Sequence, residues 1–210
     1  MTSQTRSPLS PQLQSQSQAG WLMAGASALT ILFMFHHPTE HGGTGLSPTK
    51  IIHAGMMVWL SVIFLGFMVV AKRRGFTLAT LAATLAYGIS LMGHLGAATI
   101  SGFLTARLAI NVDHTASHDL FVLLAVTNRV LAETAVAASS IAFLLFAIHF
   151  LMKSPRQTVL AIIGIVAGLV PALALFSGMI AMDVHGALMV YGAHAIFTGA
   201  VGVQLARGKI

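Results

Sequence analysis

Six apolar stretches, each close to or above the length needed to cross a bilayer, are joined by short polar segments in this chain. They cover roughly 21–35, 51–71, 76–98, a fourth that ends near 152, then 159–180 and 184–206. A helix rises 1.5 Å per residue, so about 20 apolar residues traverse the hydrocarbon core. The first stretch is on the short side and is stopped by Pro38. In lipid every backbone N–H and C=O must be paired within its own helix or within a closed barrel. No period-two alternation persists long enough for barrel strands. The expectation is an all-α, polytopic membrane protein, a bundle of six transmembrane helices. Composition agrees: 8% of residues are charged and 56% are hydrophobic. A soluble domain carries roughly 25% charged residues, so most of this surface must face the lipid bilayer rather than water.

The short joints set the expected orientation. Arg6, Lys72, Arg73, Arg74, Lys153, Arg156, Arg207 and Lys209 fall on one side when six helices alternate, and only Lys50, Arg107 and Arg129 fall on the other. Positive charge collects on the cytoplasmic side, which predicts two cytoplasmic termini in a bacterial inner membrane. The same distribution argues against nucleic acid as the partner of a chain with a formal charge of +6, because the cations form no stripe or basic helix. Residues 1–20, rich in Ser, Gln and Pro, are expected to be a disordered tail, leaving 21–210 as one six-helix domain. A cleaved leader would end its apolar core in small residues, whereas this one ends in Phe35-His36-His37-Pro38. The absence of cysteine removes disulfides, thiolate metal sites and cysteine nucleophiles.

One region is too long for a minimal hairpin. Counting about 20 residues inward from each cytoplasmic end places about 98–131 at or beyond the outer interface, so helices three and four are expected to project there. The break should fall near Asn111-Val112-Asp113, with Asp113 capping the next helix. Gly164 and Gly168 form a G-x-x-x-G that permits close helix packing, and Pro171 should kink the same helix.

The polar residues separate by face. All five acids and eight of the ten histidines fall toward the outer side: Glu40, Asp113, Asp119, Glu133 and Asp183, with His36, His37, His41, His53, His94, His114, His118 and His185. Imidazole is the commonest metal ligand, and carboxylates often complete such sites. His114 and His118 stand four apart and would share a helix face. They lack the glutamate that makes such a pair a metalloprotease. His53, His94 and His185 come from different helices at a common depth. Met34, Met56, Met57, Met92 and Met182 lie within four residues of His36, His53, His94 or His185, and thioether with imidazole is a ligand set that copper prefers. Arg129 and Glu133, also four apart, are expected to form an intramembrane ion pair.

These patterns favour an outer-face site for a transition metal, copper or zinc, serving transport, loading or sensing. Histidine also serves plainer ends, such as capping helices. The alternative is an accessory or assembly subunit with a membrane-protein partner or a second copy of itself. A redox protein carrying haem b is a further alternative, with bis-imidazole pairs drawn from His53, His94 and His185. The two-haem arrangement of the cytochrome b561 type needs a second pair on the inner side, for which only His149 and His194 are available. Histidine boxes like those of integral alkane hydroxylases are incomplete here, and no inverted repeat of a transporter is evident.

Overall fold

The computed structural model describes residues 11–37, 47–111 and 117–210. Among these residues there is no strand, and the apolar runs become helices with identifiable start signals. Helix α1 is Pro11–Phe35. It starts ten residues before the apolar run, so the expected disorder of the tail does not extend over 11–20. Once a helix exists, each added residue gains a hydrogen bond without a new nucleus, and the glutamines of this stretch are fair helix formers.

Helix α2 is Pro48–Arg73, capped by Ser47, whose side-chain oxygen accepts from the Lys50 N–H at 3.4 Å. It ends on Lys72 and Arg73, cations suited to the negative end of the helix dipole. Gly75 and Phe76 turn the chain with positive φ angles of 80° and 50°. Helix α3 is Leu78–Thr99, capped by Thr77. It runs on through a π-helical turn, Ile100–Leu104, into α4, Thr105–Asn111. Helix α5 is Ser117–Lys153, and a single 3-10 turn, Pro155–Gln157, leads to α6, Thr158–Phe176, with Pro171 inside it. Helix α7 is Val184–Ala206, capped by Asp183. The expected break near Asn111-Val112-Asp113, and with it the expected cap at Asp113, falls on residues 112–116, outside the described residues.

Among the described residues six helices are long and apolar enough to cross a membrane, and the chain is a multi-pass bundle. Two exceed the need. The Leu78–Leu108 and His118–Lys153 spans hold 31 and 36 residues, about 46 and 54 Å at 1.5 Å each, against a hydrocarbon core of about 30 Å.

The helices form a closed ring in the order α1, α2, α3, α5, α6, α7, with α7 returning to α1. The closure depends on small residues. A Cβ on Gly202 would lie 2.7 Å from the Ala24 nitrogen and 2.8 Å from the Gly20 oxygen. One helical level away, the Ser27 and Thr198 hydroxyls share a 2.8 Å hydrogen bond. Gly93 in α3 meets the Leu131 carbonyl of α5 in the same way, at 2.7 Å. In α6, Gly168 faces the Ser140 carbonyl of α5, and Gly164 admits the Phe197 ring of α7.

The axis of the ring is plugged by aromatic rings in the half nearer the basic residues. Phe67, Phe143, Phe146, Phe150 and Phe197 are fully buried. Phe67 stacks on Phe146 at 4.6 Å and meets Tyr87 at 4.7 Å, while Phe143 packs on Phe197 at 4.8 Å. Beyond the plug the basic end is tied together. Arg73 donates to the Gly208 carbonyl at 2.9 Å, Gln157 donates to the Lys209 carbonyl at 3.1 Å, and Arg74 lies 5.8 Å over the Phe150 ring. Burial, reinforced by the charge of Arg73, lowers the Arg74 pKa from its ordinary value, yet arginine remains charged in proteins.

Candidate functional site

At the opposite end of the ring, a cavity of about 320 Å³ opens among α1, α2, α3, α5 and α7. Its chemistry comes mainly from Met34 and His37, His53 and Met56, His94, and Tyr191. The periodicity of α2 explains part of this. His53, Met56 and Leu60 are three and four residues apart, so one face of that helix lines the wall.

His53 is 4% exposed and its orientation is fixed. Its Nδ1 lies 2.7 Å from the Thr49 carbonyl oxygen. A carbonyl only accepts, so Nδ1 carries the proton and Nε2 presents its lone pair. That Nε2 stands 3.3 Å from Nε2 of His37, with the two rings edge to face at 4.8 Å. As the bond stands, His37 Nε2–H donates to His53. The same spacing has a second meaning. Two nitrogens bound at about 2.0–2.1 Å to one tetrahedral ion stand about 3.3–3.4 Å apart.

The π-helical turn positions this pair. It widens the helix by one residue per turn, and Thr105 Oγ donates to the Ile100 carbonyl five residues back at 2.9 Å. Gly102 thereby comes against His53, and a Cβ there would lie 2.5 Å from His53 Cβ and 2.7 Å from Cγ. Ser101 Oγ donates to Asn128 Oδ1 at 3.0 Å, tying the turn to α5. Deeper in, His94 is 4% exposed, and its Nδ1 is 2.7 Å from the Tyr191 hydroxyl.

Of the residues marked by sequence, His37, His53, His94 and Asp183 reach the cavity. Asp183 is also occupied as a helix cap, its Oδ1 accepting from the Gly186 N–H at 2.8 Å. His36 is exposed, with Nδ1 2.8 Å from the Leu32 carbonyl, which makes it a helix-end group. His185, at the start of α7, is exposed and does not line the cavity, so of the three haem-pairing histidines only His53 and His94 do. His118 and Asp119 are exposed at the start of α5. His41 and His114 lie outside the described residues, and with them the proposed His114–His118 pairing. Met34, Met56 and Met182 line the cavity, whereas Met92 is exposed. Arg129 is exposed and Glu133 half-buried, and no ion pair joins them. The expected intramembrane pair is therefore not formed: Arg129 sits on an exposed face of α5, where solvation or lipid contact competes with pairing.

Among the described residues no three His, Asp or Glu side chains converge closely enough to hold a metal ion. A metal at the His37–His53 pair would have to draw on sulfur. Tyr191, Ser101 and Gly102 were not evident as site residues from sequence, because each acts through a partner on another helix.

No protein-family model, curated protein or solved structure matches the chain.

Proposed function

We propose that this protein binds a soft monovalent metal ion, Cu(I), in the histidine-rich cavity, and handles it there for transport, loading or sensing. The reading is carried by the facing Nε2 atoms of His37 and His53, 3.3 Å apart, in a cavity that Met34 and Met56 also line. The anchoring of His53 Nδ1 on the Thr49 carbonyl supports it, because metal-bound histidines are usually fixed through their other nitrogen. Coordination needs one local change: His37 shifts its proton to Nδ1 so that both Nε2 atoms offer lone pairs. Copper(I) is favoured over zinc by ligand type. Imidazole and thioether suit Cu(I), and both are neutral. A dication among neutral ligands would keep its full charge in a low-dielectric site, where unpaired charge is costly. Asp183, the carboxylate on the wall among the described residues, has one oxygen committed to the helix cap. The basic joints at the other end favour a cytoplasmic location for that end, so the cavity would face outward.

The test is calorimetric titration of purified protein with Ag(I), a redox-stable stand-in for Cu(I). One ion per chain is expected, with binding lost in His53→Ala. Absence of uptake, or uptake unchanged by both His37→Ala and His53→Ala, overturns the proposal.

A partnered subunit is the second reading, supported by the projecting half of α5. Val122, Leu123, Val126 and Val130 are all exposed there, roughly one helix face beyond the depth that 20 residues from Lys153 would reach. Cross-linking in native membranes from cysteines placed at Val122 and Val126 tests it. Adducts are expected with a partner or a second copy, and only uncross-linked monomer would exclude it.

A further inference from the structure

Behind His94 lies a second, much smaller cavity of about 10 Å³, whose polar lining is Thr30, Tyr87, His94, Ser139, Tyr191, His194 and Thr198, with Leu60, Ile63 and Ala195 completing the wall. That volume admits one water molecule, and a water also needs two to four polar partners. The wall offers them. His194 is 7% exposed, and its Nε2 is buried with no hydrogen-bond partner among the described residues. An unpaired buried nitrogen of this kind is destabilising, and buried polar groups are nearly always paired with protein or ordered water. His94 and Tyr191 line both this cavity and the larger one, and they are already bonded to each other at 2.7 Å.

We infer that a single ordered water occupies this cavity and completes a hydrogen-bonded wire, His94–Tyr191–water–His194, which makes His194 an interior proton-accepting site reached from the large cavity. The transfer balances without any co-reactant. A proton from the large cavity adds to His94 Nε2 while His94 Nδ1–H passes to the Tyr191 oxygen. Tyr191 passes its own hydroxyl proton to the water, and the water passes one to His194 Nε2. Each carrier gains one proton and gives one up, and His194 ends with the added proton. The wire stops there. Phe143 sets its ring at 83° to the His194 ring with centroids 4.9 Å apart, and Phe143 belongs to the aromatic plug. His194 therefore communicates with the histidine-rich end and not with the basic end. Among the described residues, the titratable side chains that face this cavity are the two histidines and two tyrosines.

The inference does not depend on metal binding, and its test uses metal-free protein in lipid bilayers. Histidine-labelled ¹⁵N protein is examined by solid-state NMR, with the His194 signal assigned by its loss in His194→Gln. Magnetisation transfer from water to the His194 ring is expected. Hydrogen–deuterium exchange there should be far faster than in the surrounding core amides, and Tyr191→Phe should slow it at least ten-fold. Absence of water transfer to His194 in the unmodified protein overturns the inference, as does exchange at the same rate in Tyr191→Phe. Neither result bears on Ag(I) uptake, so failure of the wire and failure of the metal site are distinguishable.

Discussion

His37 and His53 bring their Nε2 atoms within 3.3 Å of each other from positions sixteen residues apart. One ring belongs to the residues just after α1 and the other to the second turn of α2. The contact is therefore a product of how two helix ends meet, and neither helix would produce it alone. Thr49 fixes one ring through its carbonyl at 2.7 Å, and Gly102 presses against the same ring from the π-helical turn that follows α3. A pair supported in this way from separate helices is pre-organised, which lowers the ordering needed on binding.

Substituting this pair should separate it from the other histidines. His53→Ala should weaken Ag(I) binding by more than the roughly 10–100-fold typical for loss of a residue that only supports a ligand. His185→Ala should leave it unchanged, because His185 lies outside the cavity. Titration of the two variants side by side checks this. Equal losses would point to a general effect on folding rather than to a site.

The methionines should decide metal preference more than stability. Leucine is close to methionine in volume, and such exchanges usually cost less than about 1.5 kcal/mol. The double variant Met34→Leu, Met56→Leu should therefore fold normally while losing the thioethers that favour a soft ion. Ag(I) affinity is expected to fall at least ten-fold with little change in thermal midpoint. Unchanged Ag(I) affinity would remove sulfur from the site.

Sequence and structure part company at identifiable residues. The six spans are visible as apolar runs because lipid imposes one requirement on all of them, and Ser47, Thr77 and Asp183 mark helix starts that local chemistry alone explains. The common depth of His53 and His94 is also visible, since depth follows from counting along a helix. Azimuth does not follow from counting. His185 shares that depth yet turns away from the cavity, and His37, beyond the last turn of α1, turns into it. Tyr191 reads as an ordinary membrane aromatic until His94 is placed beside it. The π-helical turn has no sequence signature comparable to a cap, so the role of Gly102 emerges only once α2 and α3 are packed together.

Gly102 offers a way to disturb the site without touching a ligand. Gly102→Ala places a methyl carbon 2.5 Å from His53 Cβ, closer than carbon atoms tolerate, so the His53 ring or the π-helical turn must move. As a positioning residue, Gly102 should affect the pair's geometry first. The expected result is a shifted His53 ¹⁵N resonance in metal-free protein and a roughly ten-fold or greater loss of Ag(I) affinity, in line with other supporting residues. Gly88→Ala in the same helix meets only ordinary contacts, the nearest at 3.6 Å, and serves as the control. An unshifted His53 signal in Gly102→Ala would show that the turn does not hold the ring.

Closure of the ring makes a prediction of opposite sign for two glycines of one helix. Gly202 and Gly192 both lie in α7, and alanine has the higher intrinsic helix propensity by about 1 kcal/mol. At Gly192 an added Cβ meets nothing within 4 Å, so Gly192→Ala should be neutral or slightly stabilising. At Gly202 the same atom would lie 2.7 Å from the Ala24 nitrogen and 2.8 Å from the Gly20 oxygen. These are backbone atoms that cannot swing aside as a flexible side chain would. Helices α1 and α7 must then separate, and overpacking of this kind typically costs about 1–3 kcal/mol, more than the propensity gain returns. Gly202→Ala should lower the thermal midpoint in detergent, and Gly192→Ala should hold or raise it. The damage should also reach the hydroxyl pair above it, since Ser27 and Thr198 keep their 2.8 Å bond only while the two helices stay close. Thr198→Val should therefore destabilise the unmodified protein more than it destabilises Gly202→Ala. If the two substitutions instead add independently, the glycine contact and the hydroxyl bond are not parts of one interface.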